Sequence, residues 1–223
     1  ATARPVATCE EEDVGMPRST KIVDRFEGRI LGAGSTSGVR VVVGDWSHSP
    51  LGAFTDVMVA DASGRRFLLA PNEAVAQYVS QTYNFDETVL CDVHLTQGWT
   101  VDAGPLRASF GLGKRTPTGW LLHAVPQRIA SSRPLAVLAD PVARIVHPGV
   151  RTVGTAGNGR REYYGALDQH AVIRLTGTWH EEALGALTRV TPNPAFGFSS
   201  TPQLPAGSHG LWAIFSKSLS CSY

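Results

Sequence analysis

Along Phe54–Ala60 apolar residues alternate with polar ones, the two-residue period of a strand with one buried face. Ala62-Ser63-Gly64 then supplies a tight turn, and Arg66–Ala70 reads as the returning strand of a hairpin. From Pro71 to Tyr83 the period lengthens. Ala74, Val75, Tyr78, Val79 and Thr82 recur at helical spacing, and Pro71 and Asn72 are start signals for that helix.

The rest of the chain is dominated by β patterns. Phe26–Leu31 and Val39–Val43 are expected strands, separated by the loop Gly32–Gly38. Asp45–Ala53 reads as a turn-rich loop. Thr88–Thr96, Thr100–Ala103 and Leu106–Leu112 follow as strands, Thr116–Gly119 as a turn and Trp120–Val125 as an apolar segment. Leu135–Val146 is compatible with a helix, and Gly149–Gly159 with a long flexible loop. Arg161–Leu167, His170–Trp179, Ala186–Val190, Ala195–Ser199 and Leu211–Leu219 complete the strands. About ten to twelve strands and two or three short helices imply a mainly β, α+β fold: an antiparallel β-barrel or β-cone with helical decoration. Residues 1–20 are polar, with the acidic run Glu10–Asp13, and read as a flexible extension before a single domain at 21–223.

Composition narrows the function classes. Hydrophobic residues make up 43% and charged residues 17% of the 223, enough for a real core and too few charges for a disordered chain. No apolar run reaches the length of a membrane-spanning helix. The net charge of +1 is dispersed, with no basic stripe interleaved with aromatics, so no nucleic-acid partner is expected. The N-terminus lacks a basic stretch followed by an apolar one, so a cytoplasmic location is the expectation. Cys9, Cys91 and Cys221 form neither a disulfide framework nor a zinc pattern, and no HxH or HExxH spacing occurs. No metal and no cofactor are expected. The Gly-rich loop Gly32–Gly38 lacks the Lys-Ser/Thr of a phosphate-binding loop, and no Gly-x-Ser-x-Gly elbow is present.

Two polar-aromatic clusters carry the candidate chemistry. The first is the corner Gln81-Thr82-Tyr83-Asn84-Phe85-Asp86-Glu87. Asp86 and Glu87 are adjacent, so on a strand at most one of them faces a cavity. The second is Arg160-Arg161-Glu162-Tyr163-Tyr164-Gly165-Ala166-Leu167-Asp168-Gln169-His170. An unbroken strand would place Arg161 and Tyr163 on one face and Glu162, Tyr164 and Asp168 together on the other. That trio suits the holding of a ligand oxygen and the transfer of a proton. Glu87, Glu162, Tyr164, Asp168 and His170 are therefore the expected catalytic groups. Trp46, His48, Phe54, Tyr83, Phe85, Arg161 and Tyr163 are the expected binding groups.

The order Ser49-Pro50-Leu51-Gly52-Ala53-Phe54, strand, hairpin, short helix and aromatic corner resembles the acetoacetate decarboxylase-like superfamily. The resemblance implies a β-cone around a central cavity that takes a small carbonyl-bearing molecule. The family's reactive lysine falls on Glu87, and its partner glutamate on Gln81. A carboxylate forms no imine, so Schiff-base chemistry is excluded at that position. Only Lys21, Lys114 and Lys217 could supply an amine, and Lys114 sits in a Gly/Lys/Arg turn expected to face solvent. The expectation is a cofactor-independent enzyme of lyase, hydratase or cyclase type acting on a carbonyl-bearing or polyketide-like molecule. The alternatives are a non-catalytic carrier of a hydrophobic ligand and a structural subunit. A homo-oligomer is left open.

Overall fold

The computed structural model describes residues 21–96, 98–124, 152–155, 161–197 and 202–217. The expected N-terminal extension and the segment Leu135–Val146 lie outside the described residues.

The first half builds β1 (Lys21–Ser35), β2 (Arg40–His48), β3 (Phe54–Ala60), β4 (Arg66–Ala70), α1 (Glu73–Thr82), β5 (Glu87–Leu90), β6 (Val93–Leu95), β7 (Thr100–Ala103), β8 (Leu106–Arg115) and α2 (Pro117–His123). The second half adds β9 (Val153–Thr155), β10 (Arg161–Trp179), β11 (Glu182–Ala183), β12 (Leu187–Thr188) and β13 (Ala206–Lys217). One curled sheet runs β5-β4-β3-β2-β1-β13-β10-β8-β7-β6, with β9 and β11 on β10 and β12 on β1. All pairings are antiparallel except β4 with β5. The mainly β, barrel-like architecture expected from the sequence is the one observed.

The parallel β4–β5 pair explains where α1 lies. Parallel neighbours need a crossover connection, and α1 is that crossover, laid against one face of the sheet. Asn72 caps it, its side chain accepting from the Val75 N–H at 3.0 Å. Val75, Ala76 and Val79 pack onto Leu68 and Ala70 of β4. The sheet's two end strands, β5 and β6, are successive in the chain, and β6 returns beside β3. Curling thus turns one face of the sheet upon itself.

That inner face is filled. Leu31, Val41, Val43, Val57, Val59 and Leu69 from one half meet Val101, Leu106, Phe110, Leu175 and Trp179 from the other in one buried cluster. The Phe67 and Trp179 rings meet edge-on at 5.2 Å. At the rim, the Arg29 guanidinium lies 4.8 Å from the centre of the Trp99 ring and is ion-paired with Asp45. The outer face carries smaller clusters, among them Phe26 with Ile214 and Val42 with Ala60 and Phe196.

Several local expectations change. Asp45–His48 continues β2 as strand, because Asp45 and Trp46 pair with Thr55 and Phe54. Thr88–Thr96 splits into β5 and β6 around Cys91-Asp92. The expected turn at Thr116–Gly119 opens α2: Thr116 caps it, accepting from the Gly119 N–H at 2.9 Å, and Pro117 takes a first-turn position. Arg161–Leu167 and His170–Trp179 are one long strand with internal register shifts. Val153–Thr155, expected within a loop, pairs with Arg161–Tyr163. Ala195 has φ 53°, a left-handed conformation that no strand accommodates, so the expected strand does not begin there.

Candidate functional site

The outer face of β3 presents Phe54, Asp56 and Met58 in alternation with the inward Val57 and Val59. Asp56 pairs across the ladder with Gly44 of β2. A Cβ at Gly44 would stand 2.6 Å from Asp56 Oδ1 and 2.8 Å from Trp46 Nε1. Its absence lets the Trp46 indole fold over the strand and donate to Asp56 Oδ1 at 2.8 Å. Asp56 is 1% exposed, and its Oδ2 has no hydrogen-bond partner among the described residues. Burial raises its pKa to about 7, against the opposing effect of the Trp46 hydrogen bond.

Helix α1 roofs this floor with Tyr78, Val79, Thr82 and, at its C-cap, Tyr83. Tyr78 Oη donates to Asp24 Oδ2 at 2.8 Å. Tyr83 Oη donates to Glu162 Oε2 of β10 at 3.3 Å. Burial, then the nearby Glu162 and Asp56 carboxyls, push the Tyr83 phenol well above its ordinary range. The Phe26 ring lies 5.4 Å from both Trp46, which it meets edge-on, and Tyr78, to which it is tilted. Floor and roof line a part-open cleft with a cavity volume of about 30 Å³. That volume has room for about two waters. Trp46, Phe54 and Tyr83, expected as binding residues, line it together with Asp56, Phe26, Met58, Tyr78 and Ile214.

The β10 cluster is divided by a β-bulge. Tyr164 pairs with Trp212 and Ala166 with Gly210, but Asp168 pairs with His209. The extra residue reverses the inward/outward alternation. Glu162, 2% exposed, and Tyr164 stay on the outer face. Tyr164 shares a 2.9 Å hydrogen bond with Ser208, and its ring lies where a Cβ on Gly210 would be 2.6 Å away. Burial pushes the Tyr164 phenol up to about 12, the Ser208 hydrogen bond opposing it. Asp168 turns to the opposite face, where Arg115 grips both its oxygens at 2.8 Å and His170 Nε2 lies 3.5 Å away. The Arg115 hydrogen bonds hold the Asp168 carboxyl below its usual range. The expected Glu162–Tyr164–Asp168 trio is therefore not brought together.

The remaining expected residues lie apart from the cavity. Glu87 is exposed on edge strand β5, with Arg65 Nη2 at 2.9 Å. Asp86 is also exposed. Two hydrogen bonds from the Arg66 guanidinium hold its pKa at about 2. His48 is 80% exposed in its side chain. Phe85 packs on Phe196 at 5.8 Å, outside the cavity lining. Tyr163 precedes the bulge and faces away from Glu162. Arg161 is described by its backbone alone. Lys114 is exposed at the end of β8.

Sequence reading passed over Asp56, Tyr78 and Phe26. A signal for Asp56 was present: a carboxylate on the same alternating face as Phe54 and Met58 in an otherwise apolar strand. Among the described residues, no three His, Cys, Asp or Glu side chains group as metal ligands. No family model, curated protein or solved structure matches the chain.

Proposed function

We propose that the cleft between α1 and the outer face of β1, β2 and β3 binds a small, largely apolar molecule and exchanges a proton with its polar group through Asp56. The observation that carries this reading is the Asp56 carboxyl, buried among Trp46, Phe54 and Met58 with one oxygen unpartnered. A group with a pKa of about 7 is available as acid and as base near neutrality. Tyr83 and Glu162 form a second proton-holding pair on the roof side. Proton transfer by a positioned side chain serves lyase, hydratase and cyclase steps alike. The acidic surroundings disfavour an anionic substrate such as a β-keto acid and favour an uncharged or cationic one. The apolar character of most lining residues favours a second reading, carriage of an unaltered hydrophobic ligand.

Two measurements separate these. Titration with 2-butanone or cyclohexanone should shift the Trp46 indole N–H resonance, because that proton is held by Asp56 Oδ1. In D2O, the enzyme reading expects deuterium uptake next to the 2-butanone carbonyl above the buffer rate, and loss of that excess in Asp56→Asn. Binding without exchange leaves the carrier reading. The absence of any shift from these ketones removes the ketone form of the proposal.

A further inference from the structure

The polar edges of the cleft are unequal in kind. Every donor in its lining is already committed. Trp46 Nε1–H goes to Asp56, Tyr78 O–H to Asp24, Tyr83 O–H to Glu162, and Thr82 O–H to the Tyr78 carbonyl at 3.1 Å. What remains open is acceptor capacity, on Asp56 Oδ2. The other surfaces are aromatic: Phe26, Trp46, Phe54, Tyr78 and Tyr83. No Lys, Arg or His is among the lining residues. Three of the rings donate their polar hydrogen to a carboxylate, which pushes electron density into the ring and makes its face more negative. Negative ring faces around one desolvated carboxylate are the arrangement that attracts ammonium groups.

We propose that the polar group received by this cleft is a protonated amine, a primary or singly methylated ammonium, which donates to Asp56 Oδ2 and lies against the Trp46, Phe54 and Tyr83 rings. This rests on the reading of the cleft as a binding site and narrows its ligand class. The size agrees. The cleft volume of about 30 Å³ suits a group of two heavy atoms, and the rest of a larger amine would extend out through its open side. The charge agrees as well. Asp56 lines the cleft, and Asp24 on β1 and Glu162 on β10 stand behind its wall, engaged by the Tyr78 and Tyr83 phenols that line it. An ammonium entering near Asp56 favours the ionised carboxylate, so amine binding draws its proton off.

The test uses the whole chain and methylammonium chloride, with methanol as the uncharged two-heavy-atom comparison and sodium chloride as the ionic-strength control. The readout is the Trp46 indole N–H resonance, identified by its loss in Trp46→Phe. At pH 8 methylammonium should bind in the millimolar range, at least tenfold tighter than methanol. Its affinity should fall at least tenfold between pH 8 and pH 5.5 as Asp56 takes up its proton. Asp56→Asn should remove the preference over methanol, and the pH series on the unaltered chain tests the same point without a substitution. Equal binding of methanol and methylammonium, or pH-independent methylammonium binding, overturns the amine assignment and leaves the binding site standing. If methylammonium, methanol, 2-butanone and cyclohexanone all leave the Trp46 resonance unmoved, the binding-site reading falls with it.

Discussion

The two faces of the same sheet do different work. The inner face, curled on itself, is closed by Val, Leu and aromatic side chains. The outer face under α1 buries Asp56 and Glu162 and leaves a small cavity. A single strand shows the contrast. In β3, Val57 and Val59 point into the dense side, while the alternating Asp56 and Met58 point into the cavity side. The inner face removes apolar surface from water, each full-sized side chain contributing about 1.5–3 kcal/mol. The outer face holds a carboxyl where it opposes folding at neutral pH. Stability and the candidate chemistry are thus separated by the thickness of one strand.

The strongest way to break this contrast is on the inner face. Leu69 is fully buried there, and Leu69→Ala should cost about 2–5 kcal/mol in urea unfolding. A cost below about 1 kcal/mol would show that the inner face is not the stabilising one. Next comes the pH dependence of Asp56. Its carboxyl has an ordinary pKa of 3.8 unfolded and about 7 folded. Between those values the folded state binds the extra proton, so stability falls as pH rises and levels off above about 7. The loss from this group is on the order of 4 kcal/mol, from about 1.4 kcal/mol per pKa unit. Asp56→Asn keeps an acceptor for Trp46 and removes the ionisation. Unfolding curves at pH 4.5 and pH 8 should show a smaller drop for the variant than for the parent. Parallel drops would mean that Asp56 is not the titrating group.

Smaller effects sharpen the picture. Asn72→Ala removes the cap of the roof helix and should cost about 1 kcal/mol in thermal unfolding. The same variant should weaken any ligand signal at Trp46, since α1 forms one wall of the cleft. An unaltered ligand affinity would place the binding surface elsewhere. Glu87→Gln should change stability by less than about 0.5 kcal/mol and leave ligand binding unaltered, because Glu87 pairs with Arg65 in solvent. A tenfold loss of binding in that variant would restore Glu87 to the site.

Much of the fold was legible because the signals are local. Phe54–Ala60, Arg66–Ala70 and Thr100–Ala103 match their observed strands, and the helix begins at the expected Asn72 cap. Half-buried strands and capped helices write their period into consecutive residues. Trp46, Phe54 and Tyr83, expected as binding residues, line the cleft, and Glu162 and Tyr164 share one face of β10 as the strand alternation implied. The Glu162–Asp168 grouping failed because a bulge depends on β13. One residue fewer lies between Gly210 and His209 than between Ala166 and Asp168, and no property of β10 alone states that. Asp56 was missed because a carboxylate is ordinarily exposed. Its burial comes from α1 passing over β3 and from Trp46 folding across Gly44.

The chain by itself determined where backbone turns from strand to helix and which positions alternate. Those properties follow from neighbours a few residues apart. Which acids lose water, and which face keeps a cavity, was decided only when distant strands met and the crossover helix settled on one side. Burial is a property of surroundings assembled from the whole sheet, and the ionisation of Asp56 follows from burial.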